Sequence, residues 1–227
     1  RQVSSAASDV YKRQIYEKDK GPNTGGMGAY SPASIVTDEI KHKVLKEVYE
    51  PALKELKKRG IVFKGILYAG LMIKDNQPFV VEFNCRFGDP ETQAVLARWD
   101  GDMIPALLAT INGTLSEDLI KWKLDSSACV VMVSGGYPGS YEKGHVIENI
   151  DKAGEVIDTV VFQAGTKIKD NQTVTDGGRV LGITSLGDDL EDALSKAYIA
   201  VETIGYVSAF YRNDIGHREL RRIKNGI

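Results

Sequence analysis

The sequence is poor in the residues that build covalent or metal-stapled folds. Its 227 residues include two cysteines, Cys85 and Cys129, and no CxxC pair. That excludes a disulfide framework, a zinc site of the usual spacing and thioredoxin-type redox chemistry. A reducing, cytoplasmic setting is the expectation. No apolar run approaches the roughly 18–20 residues of a membrane helix, so no membrane partner is expected. Neither sign of charge dominates: 29 Lys and Arg face 31 Asp and Glu, a formal net charge of -2. Nothing global therefore draws nucleic acid, and an anion site has to be built locally. Only three histidines occur, His42, His145 and His217, none spaced to activate a nucleophile, and no GxSxG is present. What remains is globular in composition, 42% hydrophobic and 26% charged, which argues against disorder or a fibre.

The chain opens with Arg1. Residues 1–14, RQVSSAASDVYKRQ, are polar, lack an apolar core and read as a non-native leader. Residues 20–31, KGPNTGGMGAYS, read as a loop because four glycines, Pro22 and Asn23 do not suit a regular interior. Thr37 is a candidate N-cap with Asp38 and Glu39 in the first turn. Ile40, Val44, Val48 and Leu56 fall near one helical face, Gly60 is a natural stop, and Pro51 predicts a kink or break near Glu50. Residues 65–74 (GILYAGLMIK) and 78–87 (PFVVEFNCRF), joined by Asp75-Asn76-Gln77, read as a hairpin. In its second strand Phe79, Val81, Phe83, Cys85 and Phe87 are expected on one face, with Glu82, Asn84 and Arg86 on the other. Asp89-Pro90-Glu91 reads as an N-cap, a proline at the first position and an acid. A further helix is predicted over residues 103–111, stopping at Asn112-Gly113.

From Ala128 onward short β-type runs alternate with glycine-rich turns: ACVVMVS, HVIENI, TVVFQAGT and TVTDGGRVLGITSL. This is the texture of a small β-rich domain. One helix stands out, with Leu190, Ala193, Leu194, Ala197, Tyr198, Val201 and Ile204 on a single stripe, Asp188 or Asp189 at its start and Gly205 at its stop. The tetrapeptide KDNQ occurs at residues 74–77 and again at 169–172, in both places as a hairpin turn. The tail, residues 211–222, is basic and expected to be partly helical, with residues 218–224 a solvated charged face.

Three constellations could carry chemistry. Glu82 and Asn84, two apart on a strand, offer oxygen ligands on one face at roughly 6.5–7 Å between Cα atoms. Such oxygens suit Mg²⁺, which takes one or two protein ligands and completes its shell with phosphate oxygens and water. Arg86 adds a fork for a carboxylate or phosphate. The same alternation also fits a half-exposed strand with a polar outer face. Gly25, Gly26 and Gly28, around Met27, could bring backbone N–H groups close to an anion, or form a flexible turn; neither the Rossmann nor the P-loop spacing is present. Residues 87–93, FGDPETQ, could hold an anion at a helix N-terminus or be a strand–loop–helix junction.

Taken together, the motifs are far more specific than each alone. GPNTGGMGAYSP (21–32), VEFNCRFGDPETQ (81–93), TDGGRVLGIT (175–184) and YRNDIGHR (211–218) resemble, in order, the phosphoribosylamine–glycine ligase family of ATP-grasp enzymes, over residues 15–222. The resemblance implies an α+β fold: the second half of an ATP-grasp domain at residues 15–122, then a β-rich domain with one long helix at 123–227. It implies an ATP-dependent ligation of glycine to 5-phosphoribosylamine in purine biosynthesis, through a glycyl phosphate, with Mg²⁺ or Mn²⁺ and a monomeric enzyme. Glu82 and Asn84 match metal-ligand positions, and Arg86 matches an arginine that holds an anionic substrate or intermediate. Asp19, Asn23, Thr24, Gly25, Gly26, Met27, Gly28, Gly88 and Asp89 match the substrate side of the cleft. The family's enzymes are about twice this length, and the part that grips ATP is missing here. The strand before Glu82 lacks the further carboxylate that related enzymes carry. The isolated chain is therefore expected to be inactive. Another ATP-grasp ligase or carboxylase, or a non-catalytic module needing a partner half, is the alternative.

Overall fold

A computed structural model describes residues 13–226; the expected leader lies outside them except for Arg13 and Gln14. The strands are β1 (Gln14–Tyr16), β2 (Lys20–Asn23), β3 (Gly28–Ser31), β4 (Tyr68–Lys74), β5 (Gln77–Asn84), β6 (Ser126–Val133), β7 (Thr159–Gln163), β8 (Thr166–Lys169), β9 (Gln172–Thr175) and β10 (Arg179–Gly187). The α-helices are α1 (Asp38–Lys43), α2 (Glu50–Lys58), α3 (Glu91–Ala97), α4 (Ile104–Asn112), α5 (Ile150–Gly154), α6 (Leu190–Thr203) and α7 (His217–Asn225). The class is α+β. The chain divides into two compact units that do not follow chain order. Unit 1 holds Ala33–Gly88 and Trp99–Lys123; the described part of unit 2 holds residues 13–32, Asp89–Arg98 and residues 124–226.

Unit 1 is built on the β4–β5 hairpin. The Thr37 hydroxyl accepts a hydrogen bond from the Ile40 amide at 3.3 Å, as its N-cap position predicts. Ile40, Val44 and Val48 are buried and pack with Ala69, Leu71 and Ile73 of β4. Pro51 breaks nothing. A π-helical turn, Val44–Tyr49, joins α1 to α2 ahead of it. A proline has no N–H and its ring crowds the carbonyl four residues back, and a widened turn relieves both. Gly60 follows the end of α2 with φ +76°, and Gly113 follows α4 with the same φ. Trp99 and Trp122 pack edge to face at 5.3 Å across an isolated bridge.

The hairpin departs from simple alternation. Gly70 pairs with Glu82 while Leu71 pairs with Val80, so Val81 is an extra residue, a bulge. Partners across a ladder share a face. Glu82 and Asn84 therefore share the face of Gly70 and Tyr68, Phe79 joins that same face opposite Met72, and Phe83 lies opposite Ala69 on the other face. The expected segregation of Phe79 with Phe83 is lost at the bulge. β5 also ends at Asn84, leaving Cys85 and Arg86 exposed in a bend rather than on strand faces.

Unit 2 is a four-stranded antiparallel sheet in the order β3-β6-β10-β7. β6 is buried along its length. Val130 and Met132 pack with α6 through Ala197 and Val201, while Cys129, Val131 and Val133 pack on the opposite side with Ala94 of α3. A strand covered on both faces needs a continuous apolar run, and ACVVMV is one. The α6 stripe is buried as its spacing predicts, and the Asp189 carboxylate caps it from the Asp192 amide at 2.9 Å. Both KDNQ segments are two-residue turns with left-handed centres: Asp75 and Asn76 at φ +52° and +55°, Asp170 and Asn171 at +48° and +59°.

Three sequence readings need correction here. Residues 20–31 are not all loop, since β2 and β3 lie within them. Gly28 sits inside β3 because a Cβ there would stand 2.7 Å from the Cys129 carbonyl oxygen, a close backbone approach that admits glycine in a strand. HVIENI forms no strand, only single bridges from Val146 to Val174 and Glu148 to Gly205. Asp89 does not cap α3, which begins at Glu91 behind Pro90; its carboxylate is taken by Arg179 instead, as described next.

Candidate functional site

The residues singled out by sequence fall into two groups, one in each unit. In unit 1, Glu82 and Asn84 are half-buried side by side on one face of β5. Across from Glu82 stands Gly70, and a Cβ there would come within 3.0 Å of the Glu82 side chain. The glycine thus lets the Glu82 side-chain stem lie close against β4. A carboxylate and an amide oxygen on one strand face fit a hard cation such as Mg²⁺, which prefers oxygen and leaves positions for phosphate and water. β4 contributes no third carboxylate, and no cluster of three or more His, Cys, Asp or Glu is found among the described residues. Any cation here would draw most of its ligands from elsewhere. The Arg86 guanidinium is exposed and donates to the Phe87 carbonyl at 2.7 Å, a surface bond that a ligand could replace. Gly88 follows it, buried in the bend.

In unit 2 the glycine-rich segment is held from several sides. The Thr24 amide and hydroxyl both donate to the Arg13 carbonyl, at 2.7 and 2.6 Å, and the Gly26 amide donates to the Thr24 hydroxyl at 3.0 Å. The Gly25 amide donates to the Tyr137 hydroxyl at 2.9 Å, and Asn23 pairs with Gln14 in the β1–β2 ladder. The Gly25 and Gly26 amides are thus spent internally rather than presented as an anion cradle. Gly25 is needed for another reason: a Cβ there would lie 2.7 Å from the Arg179 guanidinium. Arg179 donates to the Gly25 carbonyl and grips both oxygens of Asp89, at 3.0 and 2.8 Å. This bidentate pair joins the glycine segment, the start of α3 and β10. Gly26, at φ +120°, packs against Pro90, and Met27 is buried.

Beside this segment lies a cavity of about 50 Å³ lined by Asp19, Gly26, Met27, Gly28, Glu91 and Arg212, among others. A polar cavity needs only about 10–15 Å³ of such space to admit a water, so this one has room for water or one end of a larger ligand. Asp19 is buried beside two arginines, Arg212 at 3.3 Å and Arg218. Arg212, 5% exposed, also clamps Asp214 with two bonds at 2.7 and 2.9 Å and donates to the Gln14 carbonyl at 3.0 Å. Burial works against the Arg212 charge, but the carboxylates of Asp214 and Asp19 outweigh it and raise its pKa. Burial likewise pulls the Asp214 carboxyl upward. The bonds from Arg212 and the Lys18 amide, with the nearby positive charges, win and hold it below the ordinary value. Tyr198 of α6 completes the support by donating to the Arg212 carbonyl at 2.8 Å and accepting from the Ile215 amide at 3.2 Å.

Sequence reasoning missed Arg212, Asp214, Arg179 and Glu91. It also read residues 218–224 as a solvated face, whereas Arg218 binds Asp19 and Arg222 pairs at 3.0 Å with Glu219, itself buried. The signal lay in the alternation of opposite charges, Arg212, Asp214, His217 and Arg218, next to the aromatic Tyr211. Cys129 is inert by comparison. Burial pushes its thiol up to about 12.

Known proteins share the sequence around both groups. The phosphoribosylglycinamide synthetase ATP-grasp (A) domain matches residues 3–92, beginning inside the segment read as a leader, and the C domain of the same enzyme matches residues 127–218. The chloroplastic phosphoribosylamine–glycine ligase of Arabidopsis thaliana is 47% identical over 92% of this chain and 40% of its own length. The Escherichia coli O6:H1 ligase is 46% identical over 97% of this chain and 51% of its own. The chain thus spans about half the length of the curated relatives it matches. The crystal structure of the Thermotoga maritima ligase superposes with a TM-score of 0.80 at 31% identity, over 92% of this chain and 50% of that one. The Thermotoga maritima N5-carboxyaminoimidazole ribonucleotide synthetase shares the fold at 15% identity and a TM-score of 0.55. With both domains matched in order, this chain belongs to the phosphoribosylamine–glycine ligase family of ATP-grasp enzymes.

Proposed function

We propose that this chain supplies the C-terminal half of a ligase that joins glycine to 5-phosphoribosylamine in purine biosynthesis. A glycine carboxylate oxygen attacks the γ-phosphorus of ATP and ADP leaves. The amine nitrogen of phosphoribosylamine then attacks the acyl carbon, phosphate leaves with its oxygen, and the nitrogen gives up a proton. The observation that carries this reading is the ordered match of both domains to ligases of this one activity.

Within that reading each group has a role. Glu82 and Asn84 hold Mg²⁺ or Mn²⁺, whose chemistry is to neutralise phosphate charge during transfer. Gly70 lets the Glu82 side-chain stem pack close against β4. Arg86 is free to exchange its carbonyl partner for an anionic substrate or intermediate. Asp19, Gly26, Met27 and Gly28 line the substrate side, and Asn23, Thr24, Gly25, Gly88 and Asp89 fix the loops around it. The Arg212 clamp holds the Asp19 carboxylate in place. The sequence domains, residues 15–122 and 123–227, are the units of descent. The working enzyme is a cytoplasmic monomer, and the isolated 227-residue chain is inactive because ATP is gripped by the half it lacks.

The test is ADP release in the presence of glycine and phosphoribosylamine. The chain alone should show none. With the missing half supplied in one reading frame, turnover should appear, and Glu82→Ala should lower it by orders of magnitude without loss of stability. An unaltered rate in that variant would remove Glu82 from the metal site. Turnover with another acid and amine, but none with glycine, would make the chain part of a different ATP-grasp ligase.

A further inference from the structure

Three glycine-rich turns far apart in the chain meet at one tyrosine of unit 2. Tyr137 follows Gly135-Gly136, and its ring packs on the buried cluster that includes Met27 and Cys129. Tyr141 stands edge-on to it at 6.3 Å. The turn at Gly177-Gly178 lies against the same ring, where a Cβ at Gly178 would collide with it. The Ser134 amide donates to the Gly178 carbonyl at 2.8 Å, and the Ser134 hydroxyl donates to the Gly177 carbonyl at 2.9 Å. The ring is thus fixed from several sides, and its hydroxyl accepts the third turn through the Gly25 amide at 2.9 Å. Arg179, next after Gly178, donates to the Gly25 carbonyl at 3.1 Å. One glycine is therefore gripped at both ends, its N–H by a tyrosine and its C=O by an arginine. Gly25 belongs to the link between β2, which ends at Asn23, and β3, which starts at Gly28. On either side of it the link is tied down, Thr24 to the Arg13 carbonyl and the Met27 carbonyl to the Val131 amide at 3.0 Å. Gly25 and Gly26 between these ties have the most backbone freedom to lose, and Gly26, Met27 and Gly28 line the cavity.

We propose that Tyr137 is a positioning residue, which acts through the Gly25 amide to hold residues 24–28 in the arrangement that receives substrate. Tyr137 does not line the cavity itself. The inference rests on the reading that places Gly26, Met27 and Gly28 on the substrate side. Its consequence for binding is arithmetic. A segment that is correctly arranged only part of the time binds with an apparent affinity reduced by that fraction. Loss of the hydroxyl releases two glycines that the substrate must then order on arrival, so the cost falls on binding. Once substrate is bound the segment is as in the parent, and turnover is retained. The molecule carries its own control. The Tyr206 hydroxyl is also tied to backbone, donating to the Val133 carbonyl at 3.0 Å, and its ring packs on the core around α6. When that hydroxyl is removed, the Val133 carbonyl keeps the Phe210 amide at 3.1 Å.

The experiment compares Tyr137→Phe with Tyr206→Phe, each of which deletes one hydroxyl. Amide exchange is followed by NMR in the 227-residue chain, and steady-state kinetics in the single-frame fusion with the missing half. In Tyr137→Phe the Gly25 amide should exchange at least tenfold faster than in the parent, with β10 unchanged. In the fusion the same change should raise KM for glycine or for phosphoribosylamine at least fivefold, with kcat within twofold. Tyr206→Phe should leave the Gly25 rate and both KM values within twofold of the parent. A Gly25 rate no faster in Tyr137→Phe than in Tyr206→Phe overturns the proposal, whatever the fusion does. So does a faster rate with unchanged KM values, which makes the tyrosine a structural prop only. An equal rise in KM in both variants also overturns it, because the effect is then one of general stability. Turnover with a different acid refutes the glycine assignment alone, and the same comparison is then read on the KM of that acid.

Discussion

β5 and β6 are both eight-residue strands rich in valine, yet only one builds a core. β6 lies between β3 and β10, with α3 on one side and α6 on the other, and is buried from Ser127 to Val133. Among the described residues β5 pairs with β4 alone, and four of its apolar side chains are exposed. Among the described residues, the buried cluster around α1 in unit 1 holds Ile40, Val44 and Val48, whereas that around α6 includes Val130, Met132, Val180, Ile183, Ala197 and Val201. Apolar content therefore does not decide stability by itself. It counts when a second element is present to exclude water from it, at about 25 cal/mol per Å² removed. Among the described residues, unit 2 covers both faces of β6, and unit 1 leaves much of β5 exposed.

The largest effect should come from striking the two cores in turn. Ile183, fully buried in β10, should lose about 2–5 kcal/mol on Ile183→Ala, from lost transfer energy and the cavity left behind. Phe83→Ala in the free chain should cost about 0.5 kcal/mol or less, as surface changes do. The molecule provides separate probes. Both of its tryptophans, Trp99 and Trp122, are in unit 1, so their fluorescence in a urea titration follows that unit, while circular dichroism is weighted toward the larger one. The fluorescence transition should come first, and Ile183→Ala should move only the later one. Coincident transitions that shift together in both variants would mean that the units unfold as one and that the contrast between the strands is energetically empty.

Acid should separate the units next. The Asp214 carboxyl is held below its ordinary value against the pull of burial, chiefly by Arg212. A carboxyl depressed in the folded state contributes stability that is present above its unfolded value, about 4, and is lost as pH falls through the folded value. Unit 2 should therefore weaken below about pH 4, and Asp214→Asn should flatten that slope. Asp38 in unit 1 is also lowered, by its hydrogen bond to Lys41, but it is exposed, and exposed pairs contribute little. A fluorescence transition as acid-sensitive as the dichroism transition would contradict this assignment.

What could be read in advance was mostly local. The α6 stripe, the Thr37 cap and the ends at Gly60 and Gly113 depend on residues within a turn or two of each other, and each is where the spacing places it. The pairing of Glu82 with Asn84 on one face also survived, because both lie on the same side of the bulge. The losses came from distance. Asp89 is an excellent N-cap until Arg179, 90 residues away, takes both of its oxygens. Asp19 looked like a loop residue until Arg212, 193 positions on, closed over it. The bulge at Val81 depends on the register with β4, which alternation within one strand does not encode. The sequence motif YRNDIGHR contained the clamp residues all along, but their role shows only when the β1–β2 hairpin is laid against them.

The smallest effect is the cleanest comparison, because the molecule makes it twice with the same four residues. Lys74–Gln77 and Lys169–Gln172 are both KDNQ, and both turn through a left-handed Asp and a left-handed Asn. That backbone costs an ordinary side chain about 1–2 kcal/mol, and asparagine less because its short amide bonds locally. Asn76→Ala and Asn171→Ala should each remove about 1 kcal/mol, the first from the fluorescence transition and the second from the dichroism transition. Equal losses would mean that turn energetics are local and indifferent to the completeness of the surrounding unit. A loss confined to Asn171 would mean that the β4–β5 hairpin is already frayed in the free chain, so that its turn strain is not felt.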